Sequence, residues 1–300
     1  MSIPTSTTDP SPAAEQPPAQ DSPVEDDWRN GGLPALRAEL DRIDNAIHDL
    51  LMQRAEVVEH VARSGKPAAF RPGREAAMLR RLLARHHGTL PPVTVVRIWR
   101  EMLAGTTAMQ GGFSLAVADA APSAPFCQLA REHFGALTPL SVHQTPGHAL
   151  AEVSRRRAAG AVLPYPSETD PWWTALLRRE PRLHIIAQLP FWAPRPAGAA
   201  PVKALVVATT QADPSGSDRS FIGLECDRHL SHTRLCNELA AAGLKPRSLV
   251  LLHPPGTAPI ILAEIDGFLA DDDPRLSRPI LGSHHPLLLG HAAIPVGEAA

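Results

Sequence analysis

The chain has 300 residues, 44% of them hydrophobic, and a formal net charge of −2, which predicts two or three domains with real cores. The charge argues against a general nucleic-acid binder, and no run of about 18 apolar residues supplies a membrane span. Cys127, Cys226 and Cys236 show no CxxC spacing, so neither a disulfide framework nor a zinc knuckle is expected, and the first residues lack a signal-peptide pattern, which predicts a cytoplasmic protein.

Residues 1–30 combine six prolines with six acids against the single base Arg29, the composition of a disordered acidic tail. From Leu33 to Arg63 the apolar residues Leu36, Leu40, Ile43, Ile47, Leu50, Val57 or Val58, and Val61 recur with the three-and-four spacing that marks an amphipathic helix. A helix of about 30 residues is a rod of roughly 45 Å. That is too long to bury its stripe within a domain of about 80 residues, so a partner helix from a second copy of the chain is expected.

Two shorter helices follow, one starting near Pro72 and ending by Gly88, the other starting near Pro92 and ending before Gly111-Gly112. Residues 31–112 therefore read as a three-helix unit. From Phe113 short apolar runs (114–118, 161–163, 183–189, 204–209) alternate with helical patterns at 125–134, 146–159 and 171–179, which is α/β alternation. A polar stretch at 211–218 reads as a linker. Residues 213–282 then read strand (221–225), helix (233–242), strand (247–253), strand (259–265), and the proline-bearing end, 283–300, reads as a loose tail.

Within the first helix Arg54 falls in register with Ile47, Leu50, Leu51, Val58 and Val61. A guanidinium on an apolar seam needs an anion. Arg37 lies near the start of the same helix, Arg74-Glu75 opens the second, and Thr106 and Gln110 end the apolar face of the third. Residues 31–112 carry twelve Lys+Arg against eight Asp+Glu. Arginine forks suit carboxylates, so the expected guest is a small polyanion, most simply a dicarboxylate. The histidine pairs at 86–87 and 284–285 lack metal spacing, and no metal is expected.

Leu33-Pro-Ala-Leu-Arg37, Asp41-Arg-Ile-Asp44, Leu50-Leu-Met-Gln-Arg54 and Phe70-Arg-Pro-Gly-Arg-Glu75 resemble the all-helical chorismate mutases, and in particular the mutase domain of bifunctional chorismate mutase–prephenate dehydratases. The resemblance covers roughly 80 residues. It implies an intertwined homodimer in which the long first helix crosses between subunits, chorismate as substrate, and no cofactor. By position Arg54 is similar to the arginine that holds a substrate carboxylate within its own subunit. Arg37 resembles the one contributed across the dimer, Arg74 the arginine after the helix turn, and Glu75 the acid that takes the substrate hydroxyl. Thr106 falls on a small hydroxyl position and Gln110 on the glutamine that donates to the ether oxygen. The family's lysine position is Gly65 here, with Lys66 one residue late, so the resemblance leaves that role to Lys66 or Arg63. Arg71 stands where an acid is frequent.

The order of the remaining pieces is similar to a dehydratase domain followed by an ACT regulatory domain. The resemblance thus implies a multidomain chain: mutase at 31–112, a truncated dehydratase-like α/β region at 113–212, and an ACT-like α+β block at 213–282. The dehydratase's Gly-Pro-Gly-Thr opening is replaced by Ala118-Asp-Ala-Ala-Pro122, and its Thr-Arg-Phe motif by Val202-Lys-Ala204. The resemblance therefore implies mutase activity with a degenerate C-terminal region. The alternatives are a non-catalytic dimerisation and ligand-sensing or partner-binding protein, and an enzyme that keeps both activities. Trp172-Trp173 reads as ordinary packing.

Overall fold

The computed structural model describes residues 31–63, 70–178, 180–195, 197–226, 230–280 and 285–298. The expected acidic tail at 1–30 and Lys66 lie outside the described residues. The chain divides into two compact units, Met1–Glu56 and Val57–Ala300.

Helix α1 runs unbroken from Gly32 to Arg63, and none of its residues is buried. Its apolar stripe is open to solvent, with Leu40 60% and Leu50 64% exposed. Helices α2 (Pro72–Ala84) and α3 (Pro92–Ala108) both begin on proline, whose missing N–H and fixed φ suit the first helical turn. All three helices stand where the apolar periodicity puts them.

The rest of the second unit is built on one nine-stranded mixed sheet, ordered β2-β1-β3-β5-β4-β9-β6-β8-β7. The strands are β1 (Leu115–Ala118), β2 (Leu140–His143), β3 (Gly160–Pro164), β4 (His184–Leu189) and β5 (Ala204–Ala208) in the first half. The second half holds β6 (Asp218–Glu225), β7 (Pro246–Leu252), β8 (Ile260–Asp266) and β9 (Leu287–Ala293). Helices α4 (Pro125–Phe134) and α5 (Pro146–Ser154) connect β1, β2 and β3, which pair in parallel. The two helices cover opposite faces. Alternate residues of β1 enter two cores, Ala116 and Ala118 with Ala149 and Leu150 of α5, Leu115 and Val117 with Leu129 and Ala130 of α4. Burial on both faces explains the continuous apolar runs of β1 and β3. Helix α6 (His232–Ala241) packs Leu235 and Leu239 against Ile222, Leu224 and Ile261 of the second half.

Several expectations are corrected. The segment read as a helix at 171–179 is a 3-10 helix, Trp172–Leu177, with Trp172 and Trp173 buried as packing residues. The end at 283–300, read as loose, contains β9, an inner strand of the sheet. Its run Leu287-Leu-Leu-Gly-His-Ala-Ala is short and apolar, and Pro286 and Pro295 bound it rather than break it. Gly290 makes the join to β4 possible, since it has φ +136° and a Cβ there would stand 2.1 Å from the Ile185 carbonyl oxygen. The stretch at 211–218 is no free linker. Arg71 grips Asp213 through two 2.8 Å hydrogen bonds, and Arg80 donates to Ser215, Ser217 O and Ile294 O.

The boundary expected at 112 is likewise absent from the packing. Ala76 and Leu79 of α2 and Val96 of α3 share a core with Phe191 and Ala293. These two helices close over the sheet, which is why they fall in its compact unit.

Candidate functional site

Arg37 and Arg54 both lie on α1, seventeen positions apart. At 1.5 Å per residue their α-carbons are about 25 Å apart. Two side chains that leave the helix so far apart are poorly placed to meet on one small dicarboxylate. Arg37 is exposed, whereas Arg54 is half-buried, and desolvation pushes its pKa down. Arg63, at the end of α1, pairs with Glu59 one turn earlier. That i,i+4 pair engages the guanidinium named as the alternative to Lys66.

In the second unit Arg74 and Glu75 occupy the first turn of α2. Arg74 is exposed. Glu75 turns inward, and its Oε2 accepts a 2.8 Å hydrogen bond from Nη1 of Arg100, whose side chain is only 4% exposed. Burial raises the Glu75 pKa, opposed by the guanidinium beside it, and burial lowers that of Arg100. One carboxylate oxygen is committed to Arg100.

At the far end of α3 Thr106 is buried and Gln110 half-buried. The Thr106 hydroxyl donates to the Met102 and Leu103 carbonyls, both at 3.1 Å, and the Gln110 amide donates to Thr106 O at 3.3 Å. The backbone contacts fix where it sits.

Arg100 was not among the residues picked out from the sequence. A signal existed, because Arg100 falls one turn after Val96, and both are buried. Around it the guanidinium lies 4.8 Å from the Phe191 ring centre, and His133 packs edge-on against Phe134 with ring centres 4.6 Å apart. Burial, aided by the nearby Arg100 charge, holds the His133 pKa well below the ordinary value. Among the described residues no group of three or more His, Cys, Asp or Glu has metal-binding geometry, and no helix is long and apolar enough to cross a membrane.

Comparison with known proteins bears on this arrangement. Residues 36–111 match the family model of chorismate mutase type II, so the chain carries that domain. The bifunctional chorismate mutase/prephenate dehydratase of Pseudomonas aeruginosa is 34% identical over 139 residues, covering 43% of this chain and 36% of the relative. That of Neisseria gonorrhoeae is 32% identical over 136 residues, covering 45% and 37%. The match thus spans little more than a third of these relatives' length. Among solved structures, prephenate dehydratase from Streptococcus mutans covers 61% of this chain and 98% of its own at 11% identity, with a TM-score of 0.44. The resemblance drawn from the motifs of residues 33–75 is borne out by the family match.

Proposed function

We propose that the chain is a chorismate mutase that rearranges chorismate to prephenate, acting as a homodimer. The observation that carries this reading is the domain match at 36–111, inside which Arg37, Arg54, Arg74, Glu75, Thr106 and Gln110 all fall. The reaction is intramolecular and asks for no nucleophile or cofactor. The protein has to hold a dicarboxylate in its compact conformer and donate to the ether oxygen as negative charge builds there.

In this reading Arg54 binds one carboxylate and Arg37 of a second copy binds the other, which the separation along α1 supports. Glu75 accepts the substrate hydroxyl. Gln110 and Lys66, or Arg63 in its place, donate to the ether oxygen, while Arg74 and Thr106 line the site. The exposed stripe of α1, including Leu36, Leu40, Ile43, Ile47 and Leu50, is what a second copy would cover. The free thiols of Cys127, Cys226 and Cys236 are in keeping with the cytoplasm as its compartment. The dehydratase motifs replaced at 118–122 and 202–204 leave dehydration of prephenate outside the proposal.

The test follows the loss of chorismate absorbance with the full chain and with Arg54→Ala. Turnover by the wild type, and a loss of several hundredfold in the variant, is the expected result, of the size found when a donor to a developing oxyanion is removed, on the order of 10²–10³. A wild-type chain that binds chorismate without converting it would sink the reading in favour of a ligand-sensing dimer.

A further inference from the structure

A concavity that Arg100 and His133 help to line lies between α3, α4 and the segment after β4. Its volume is about 90 Å³, and Val93, Val96, Leu129, Phe191 and Trp192 give it an apolar and aromatic wall. Charged groups stand around that wall. Arg195 is bound to Glu132 by bonds of 2.5 and 3.1 Å, and Arg100 is bound to Glu75. Arg97, exposed on α3 at the same concavity, makes no hydrogen bond or ion pair among the described residues. Three guanidinium groups thus face two carboxylates, and one positive charge is left over at the mouth.

The lining holds further unmet polarity. Nε of Arg100, Nε of Arg195 and Nε2 of His133 are buried with no hydrogen-bond partner, although buried polar atoms in proteins are normally paired. His133 is 7% exposed, and its lowered pKa keeps it neutral at pH 7, so it adds no charge to the count. The lining therefore combines an aromatic wall, one uncompensated guanidinium, and nitrogen atoms without partners.

We propose that this concavity is a binding site for a small monocarboxylate with an aromatic body, its carboxylate on Arg97 and its ring against Phe191 and Trp192. A dicarboxylate or a phosphate would bring more negative charge than the single excess cation balances, and a peptide is too large for the volume. The assignment does not depend on the proposed activity, since neither Arg97 nor Trp192 belongs to that site.

The test is calorimetric titration of the full chain with 3-phenylpropanoate. Two control probes separate the contributions: 3-phenylpropan-1-ol has the ring without the charge, and propanoate the charge without the ring. Saturable one-to-one binding is expected, at least about tenfold tighter than either control, with Arg97→Gln weakening it by about tenfold as a charged hydrogen bond is lost. Arg97 is exposed, so an unchanged melting temperature will show that the variant is folded. Val93→Phe, which fills the wall, should abolish binding, and the fluorescence change on binding should disappear in Trp192→Phe. No saturable binding at millimolar probe, equal affinity for the alcohol or for inorganic phosphate, or wild-type affinity in Arg97→Gln would each overturn the proposal.

Discussion

Arg100 reaches back from α3 to hold Glu75 of α2 at 2.8 Å, and its guanidinium is almost wholly shielded from water. Removing one member of such a pair strands the other charge in a medium that solvates it poorly, at a cost of about 3–5 kcal/mol. Arg100→Met is therefore expected to destabilise the second unit by that amount in denaturant unfolding. In the double variant Glu75→Gln/Arg100→Met the stranded carboxylate is gone, and a substantial part of the loss should return. A double variant that is additive would mean that the two side chains do not depend on each other.

Gly290 is the tightest point in the sheet. A methyl there would meet the Ile185 carbonyl oxygen at 2.1 Å and its nitrogen at 2.5 Å, on a backbone whose φ of +136° already disfavours a side chain. Gly290→Ala is expected to cost at least about 3 kcal/mol, because backbone on both strands has to move. Gly267→Ala is the control. Its φ is +96° but nothing stands within 4 Å of its Cβ position, so the conformational cost alone remains, about 1–2 kcal/mol. Equal losses in the two variants would show that the close approach of β4 and β9 carries no energetic weight.

This join also shows what could be read from the chain and what could not. The three N-terminal helices and β1, β3, β4 and β5 follow from periodicity and short apolar runs, because each carries an apolar stripe or run that its own sequence marks. β9 was hidden because seven residues cannot announce which sheet they enter, and the prolines around them resemble those of a tail. Similarly, Arg71, Arg80 and Arg100 look like solvent-facing arginines on amphipathic helices. Only the fold brings Asp213, the Ser215 loop and Glu75 to them. Arg37 and Arg54 were legible as candidates because one is out of character on an apolar stripe and the other belongs to an ordered series of motifs.

His133 gives the fold a definite pH dependence. Its pKa lies well below the ordinary value in the folded protein, through burial and the charge of Arg100, and returns to about 6.5 on unfolding. Above that pH both states are neutral at this residue and no dependence arises. Below it the unfolded chain takes up a proton that the folded one refuses, so stability falls with falling pH, by up to about 1.4 kcal/mol per unit. His184 and His291 are lowered as well and add slope of the same sign. Unfolding measured between neutral pH and about pH 5 should therefore show a shallower decline in His133→Phe than in the wild type, by up to one proton. Identical slopes would mean that His133 is protonated in the folded state.

The separation of Arg37 and Arg54 along α1 leads to a test that needs no structure of a complex. Arg37→Ala and Arg54→Ala should each abolish most turnover, because each removes a carboxylate ligand from every site of the proposed dimer. If Arg37 serves the site of the other subunit, a mixed dimer of the two variants contains one site that lacks both arginines and one that retains both. Unfolding and refolding the two variants together in equal amounts should make half of the dimers mixed, each with one working site. The mixture should recover roughly a quarter of the wild-type rate, whereas either variant refolded alone keeps only its small residual rate. If both arginines belonged to the site of their own subunit, no pairing could restore an intact site and the mixture would stay as inactive as its parts. The rise on mixing therefore reports both the dimer and the sharing of α1 between two sites.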